Sequence, residues 1–236
     1  MSKLIKPFTL AIDIGGTGLK MMIVDKKAKS VTERLKVDTP RPATPSAILK
    51  ALTDMIKKQG AFDRVSVGFP GVVFHGIVKT APNLDGAWEN YNLQKKLRDL
   101  TKKPTKVAND ADVQGYGDVK GIGVELVITL GTGVGSALFL NGKLVPNLEF
   151  GHHPFKNNHT YEDLLGKAAL KKHGHKKWNK HLAEAINLMS NIFNFDHLYI
   201  GGGNAKDIKI DLPPNVHITD NLAGLLGGIK LWEDGL

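Results

Sequence analysis

The chain has 236 residues, 42% apolar and 23% charged, enough for one large or two small globular domains with a real core. It has no cysteine, which excludes a disulfide framework and a thiolate zinc site and fits a reducing cytoplasm. The net charge of +9 favours a polyanionic partner without choosing among nucleic acid, anionic membrane and a phosphate-rich substrate.

In chain order, residues 8–13 and 19–25 read as strands around a glycine turn, and "VTERLKVDTP" as a third, an antiparallel meander. Lys3 and Lys6 precede the first apolar run, but Asp13 ends it too early for a signal peptide. After Pro40, Pro42 and Pro45, Thr44 or Ser46 caps a helix to about Lys58, with Ile48, Ala51, Leu52, Met55 and Ile56 at helical spacing. "RVSVGFPG" is a strand entering a tight turn, residues 89–103 an amphipathic helix, and "TKVAND" a short strand. A domain boundary is expected near residue 112, giving domains 1–112 and 113–236.

The second half repeats the opening grammar. Residues 125–145 read as strand, glycine turn and strand, followed by a turn at Asn141-Gly142. The run 126–140 is too short and too rich in glycine to cross a membrane, so no membrane partner is expected. Helices are expected at about 160–173 and 177–193, then a strand running into "GGGN", then a C-terminal helix in "LAGLLGGIKLW".

The chemistry gathers at the turns. Asp13, Gly15, Gly16, Thr17 and Gly18 form one glycine loop, and Gly131, Thr132 and Gly133 a second. Backbone N–H groups in such loops form concave nests for phosphate oxygens, and Asp13 could hold a hydrated Mg²⁺. The alternative is a pair of bulged hairpins in which glycine serves twist alone. "GTGVG" lacks the six-residue dinucleotide spacing and precedes a strand. Asn109 and Asp110 end a strand, where a carboxylate can take a hydroxyl proton or merely cap a helix. Asn83, Asp85, Glu149 and His152 supply polar groups suited to a polyhydroxylated ligand.

The ordered set "DIGGTGLK", "GFPGVV", "NDADVQG", "LGTGVGSALF", "LVPNLEFGHH" and "GGGN" resembles the ROK sugar kinases of the actin/hexokinase superfamily. "TPRPATP", "APNLD" and "LVPN" are similar to the polyphosphate glucokinase branch, and the likeness runs from about residue 9 to 228. It implies a two-domain α/β fold, ribonuclease H-like, with mixed sheets around a central cleft. It also implies Mg²⁺-dependent phosphoryl transfer to the 6-hydroxyl of glucose from polyphosphate, ATP or both. In that resemblance Asp110 matches the catalytic base. Asp13, Gly15, Gly16, Thr17, Gly18 and Lys20 match the first donor loop, and Gly131, Thr132 and Gly133 the second. Gly201, Gly202 and Gly203 match the loop near the nucleotide, while Gly71, Asn83, Asn109, Asp110, Glu149 and His152 match sugar-binding positions.

The cysteine cluster that holds structural zinc in many ROK proteins is missing, so no zinc is expected. Only 12 residues precede Asp13, where ROK repressors carry a DNA-binding region, so a repressor is not expected. No helix-turn-helix or aromatic-basic platform points to nucleic acid. The resemblance implies a homodimer. A strictly ATP-dependent hexokinase and a non-catalytic sugar sensor are the alternatives, and an intact Asp110 with both loops argues against the sensor. Finally, residues 156–181 hold seven lysines against two carboxylates. Within them Lys171, Lys172, Lys176 and Lys177 are expected to form a track for polyphosphate, helped at low pH by His159, His173, His175 and His181, the alternative being a solvated helix face.

Overall fold

In the computed structural model, which describes residues 5–219 and 227–233, the first apolar runs form β1 (Thr9–Ile14) and β2 (Gly18–Val24). They pair antiparallel, and β3 (Leu35–Asp38) extends the meander. Thr44 caps α1 (Pro45–Ile56), which buries Ile48, Leu52 and Met55. β4 (Arg64–Phe69) pairs parallel with β1, and a small hairpin of β5 (Val73–Phe74) and β6 (Ile77–Val78) follows. α2 (Leu93–Thr101) starts later than the 89–103 expected, because Asn92 caps it. β7 (Thr105–Asn109) pairs parallel with β4 and leads straight into α3 (Asp110–Asp118).

The sheet order is β3-β2-β1-β4-β7. Leu10, Ile12 and Ile14 join one core with α1 and α2, while Ala11 packs with Ile229 on the other side. Burial on both faces explains why Leu10, Ala11 and Ile12 follow one another as apolar residues instead of alternating with polar ones.

The second sheet repeats the plan. β8 (Val124–Leu130), β9 (Val134–Leu140) and β10 (Lys143–Val145) run antiparallel, with Asn141 and Gly142 both at positive φ in the last turn, as that dipeptide demands. The hairpin β11 (Pro154–Lys156) and β12 (His159–Thr160) precedes α4 (Tyr161–Leu165) and α5 (Lys167–Phe193). β13 (His197–Gly201) and β14 (Val216–Ile218) complete the order β10-β9-β8-β13-β14 with parallel pairs. Where two helices were expected over 160–173 and 177–193, the chain forms a short α4 and a long α5 that breaks at Gly174, where φ is 74° and ψ 166°.

The chain divides into Met1–Gly117 with Leu222–Leu236, and Asp118–Asn221. The division falls at the end of α3 rather than near residue 112, and the C-terminal segment joins the first unit rather than the second. Three bonds show why: Ser66 Oγ donates to Gly228 O, Trp232 Nε1 to Ser66 Oγ at 2.8 Å, and Lys106 Nζ to Leu231 O at 2.7 Å. Gly227–Trp232 form a 3₁₀ helix; the expected C-terminal helix otherwise lies at 222–226, outside the described residues.

Candidate active site

Parallel strands in an open α/β sheet present ligand-binding loops at their carboxyl ends. In the first unit β1, β4 and β7 run parallel, and their carboxyl ends carry Asp13, Gly71 and the Asn109–Asp110 pair. Asp13 lies opposite Lys20 in the β1–β2 register, and Lys20 Nζ meets Asp13 Oδ2 at 2.7 Å. The loop between these strands closes through Gly15 N–H to Gly18 O at 3.0 Å, and Thr17 is exposed at its tip. Thr39 Oγ1 donates to Gly15 O and Arg41 Nη2 to Gly16 O, both at 2.6 Å. A Cβ on Gly16 would stand 3.2 Å from that of Asn83, so the "APNLDG" loop packs on the first glycine loop.

Asn109 does two jobs. Its Oδ1 accepts the N–H groups of Ala111 (2.8 Å) and Asp112 (3.2 Å), capping α3, while Nδ2 donates to Gly71 O at 3.2 Å. The helix-cap alternative is therefore real, and the same cap fixes the neighbouring Asp110. That residue sits half-buried in the first turn of α3, where the helix dipole favours a carboxylate. Gly71 must be glycine, because a Cβ there would collide with the Thr80 carbonyl.

In the second unit Gly131, Thr132 and Gly133 follow β8, and Gly202 to Asn204 follow its parallel neighbour β13. Gly131 N–H donates to Gly133 O at 3.0 Å. Gly131 O receives Lys167 N–H at 2.8 Å and Asn204 Nδ2 at 3.2 Å, which joins the two glycine segments. Gly202, at φ 89°, lies so close to the Leu130 backbone that a Cβ would overlap it, whereas Gly203 faces open space. Gly201 ends β13 itself.

Glu149 and His152 flank a 3₁₀ turn (Phe150–His152), with His152 Nδ1 at 3.2 Å from Glu149 Oε2. His152 Nε2 lies 3.8 Å from Glu162 Oε2, and the same oxygen accepts the Val134 N–H at 3.0 Å. Glu162 on α4 thus ties the histidine to the strand that follows the second glycine loop. Burial pushes the Glu149 carboxyl above its ordinary value, against the pull of His152.

The structure brings Asp13, Lys20, the first loop, Gly71, Asn83, Asn109 and Asp110 to one sheet end. It brings the second loop, Gly201–Gly203, Glu149 and His152 to the corresponding part of the other unit. Thr39, Arg41, Glu162 and Asn204 are the residues that sequence reasoning missed. Thr39 and Arg41 lie inside "TPRPATP", Asn204 inside "GGGN" and Glu162 inside the basic segment 156–181, so each stretch stands out in the sequence but none of these side chains has a role assigned there. Lys171, Lys172, Lys176 and Lys177 are all exposed, two on each side of the Gly174 break. Of the nearby histidines, His181 is buried, and burial followed by Lys177 and Lys156 holds it below the ordinary histidine value. It therefore charges only in more acid solution than an exposed histidine does.

Among the described residues no three His, Asp or Glu side chains converge as a metal site, and no helix is long and apolar enough to cross a membrane. A single half-buried carboxylate, Asp13, suits a hydrated Mg²⁺ carried on phosphates rather than a protein-caged ion.

The ROK family model matches residues 9–163. The polyphosphate glucokinase of Mycobacterium tuberculosis is 35% identical over 92% of this chain and 88% of its own length. The Mycobacterium leprae polyphosphate glucokinase is 34% identical over 92% and 72%. Among solved structures, the inorganic polyphosphate/ATP-glucomannokinase of Arthrobacter sp. strain KM superposes with a TM-score of 0.87 at 33% identity, covering 96% of this chain and 98% of that one. A Streptomyces griseus ROK glucokinase with glucose and AMPPNP shares the fold, with a TM-score of 0.77 at 21% identity over 95% and 98%.

Proposed function

Because the chain belongs to the ROK family, we propose that it transfers a phosphoryl group from inorganic polyphosphate, with ATP as a second donor, to the 6-hydroxyl of glucose. It is a sugar kinase, as its relatives are. The observation that carries the reading is the Asn109–Asp110 pair, capped and fixed at the head of α3 in the sheet that also bears the Asp13 loop.

Phosphoryl transfer asks mainly for positioning and charge stabilisation. Asp110 orients the 6-hydroxyl and takes its proton as the O6–P bond forms. The bond from phosphorus to the donor's bridging oxygen breaks, releasing ADP or a polyphosphate one unit shorter. The N–H groups of the two glycine loops and Lys20 bind the donor's terminal phosphates, and Gly201–Gly203 lie beside the nucleotide when ATP is used. Asp13 would hold a hydrated Mg²⁺, which would supply charge neutralisation of the donor when bound. Gly71, Asn83, Asn109, Glu149 and His152 hold the sugar, with Glu162 orienting His152. The reading includes a homodimer, the state the family resemblance implies, and a cytoplasmic site of action, in keeping with a chain that has no cysteine.

Initial rates with glucose and Mg²⁺ test the reading, with long-chain polyphosphate and ATP as donors. Glucose 6-phosphate formation that is faster with polyphosphate is the expected result. Turnover with ATP alone would make the chain an ATP-dependent hexokinase, and no turnover with either donor would overturn the assignment.

A further inference from the structure

The segment "TPRPATP", residues 39–45, has no role in the chemistry above, yet two of its side chains hold the first glycine loop. A phosphate nest needs its N–H groups aimed at the anion and its carbonyls turned away. Each carbonyl turned into the protein then needs a donor. Here Gly15 O receives the Thr39 hydroxyl and Gly16 O the Arg41 guanidinium, both at 2.6 Å, while Thr17 O receives the Thr39 N–H at 3.3 Å. Gly18 O is met by Gly15 N–H. The N–H groups of Gly16 and Thr17 donate to nothing among the described residues.

The two clamps differ in setting. Thr39 is buried, so its hydroxyl is committed to Gly15 O. The Arg41 side chain is 60% exposed and also meets Asp85 Oδ2 at 3.5 Å, so it links the glycine loop to the loop that carries Asn83. A guanidinium has five N–H donors, and these two partners leave some of them open to solvent and ligand.

We propose that Thr39 and Arg41 are positioning residues for the phosphoryl donor. They fix the carbonyls of Gly15, Gly16 and Thr17 so that the Gly16 and Thr17 N–H groups stay open to a terminal phosphate, and Arg41 adds a cation beside it. The inference rests on the reading of this loop as the donor site.

Arg41→Ala and Thr39→Val test it, with Arg41→Lys and Thr39→Ser as conservative partners. Loss of a charge-assisted bond predicts a donor KM about tenfold higher in Arg41→Ala, with glucose KM unchanged and kcat little affected. Arg41→Lys and Thr39→Ser should recover most of the donor affinity. Protection against thermal unfolding by tripolyphosphate gives a readout without chemistry. It should shrink in Arg41→Ala and Thr39→Val relative to wild type. A wild-type donor KM and wild-type tripolyphosphate protection in Arg41→Ala would overturn the assignment, as would a loss confined to glucose KM. Should the wild-type enzyme fail to phosphorylate glucose, the proposed function falls, and the tripolyphosphate comparison still decides whether these residues position an anion site. Arg41 is exposed, so its variants remain informative even if Thr39→Val folds poorly.

Discussion

Asp110 occupies the first turn of α3, its Oδ1 accepting the Ala111 N–H at 2.8 Å. An amide can make the same bond and can still hydrogen-bond a sugar hydroxyl, but it cannot accept the proton. Asp110→Asn should therefore lower kcat by about 10²- to 10⁴-fold while leaving glucose affinity little altered, measured by steady-state rates and by titration with glucose. Near-normal turnover would remove Asp110 from the base role. Glu149 offers a test with two opposite signs. Its carboxyl lies above the ordinary glutamate value because it is buried, with His152 pulling the other way. As pH falls through that raised value, Glu149 gains a proton and ceases to be an all-acceptor partner for sugar hydroxyls. Glucose KM should rise in milder acid than an ordinary carboxylate would require, and Glu149→Gln should lose that dependence. Stability runs the other way: a raised native value contributes stability below the unfolded value that is lost as pH rises through the native one. Glucose KM and Tm, both followed against pH in wild type and Glu149→Gln, separate the two effects. A glucose KM in wild type that tracks Tm would mean that Glu149 acts only through the fold.

Elements set by a dozen neighbouring residues were legible in the sequence. The glycine hairpin of β1 and β2, the Thr44 cap of α1 and the Asn141-Gly142 turn each follow from local backbone chemistry. The two hairpins even betrayed that one sheet plan occurs twice, although the pairing of β13 with β8 spans about seventy residues and leaves no periodic trace. α5 was harder. Its glycine at 174 breaks the helix, but Gly166 lies close to the Glu162 and Thr132 carbonyls and cuts off α4 earlier than periodicity implies. The same limit governs the site. Residues at strand ends stood out because glycine, Asn and Asp interrupt apolar runs there. Arg41 acts on a loop 25 residues away, and Glu162 reaches His152 only after the β11–β12 hairpin reverses the chain. Ser66 meets Gly228 across 162 residues, which is why the C-terminal segment joins the first unit against the sequence reading.

Over the whole molecule, the question is what a net charge of +9 does for a kinase of small sugars. More than half of the excess lies in residues 156–181, which carry +5 in about a ninth of the chain. The structure trims that figure, since Lys156 is held by Glu184 at 2.6 Å, and His181, which resists protonation, adds little to it in mild acid. Lys171, Lys172, Lys176 and Lys177 stay exposed on either side of the Gly174 break. ATP presents three phosphates and has no use for a long basic surface. A long polyphosphate chain gains affinity from every cation it meets, by releasing its own counterions, much as single-stranded nucleic acid does. For that class the logarithm of affinity falls against the logarithm of salt with a slope of about −0.7 per phosphate neutralised. If the four lysines meet four phosphates, the slope for long polyphosphate should be steep, and reversing all four to Glu should flatten it by roughly three units. KM for long polyphosphate should rise in that variant, most strongly at low salt, while the KM values for glucose and ATP stay nearly unchanged. Steady-state rates across a salt series, with both donors, give the answer. Equal loss with ATP would mean a damaged fold or donor loop, and an unchanged polyphosphate slope would reduce the lysines to a solvated helix face.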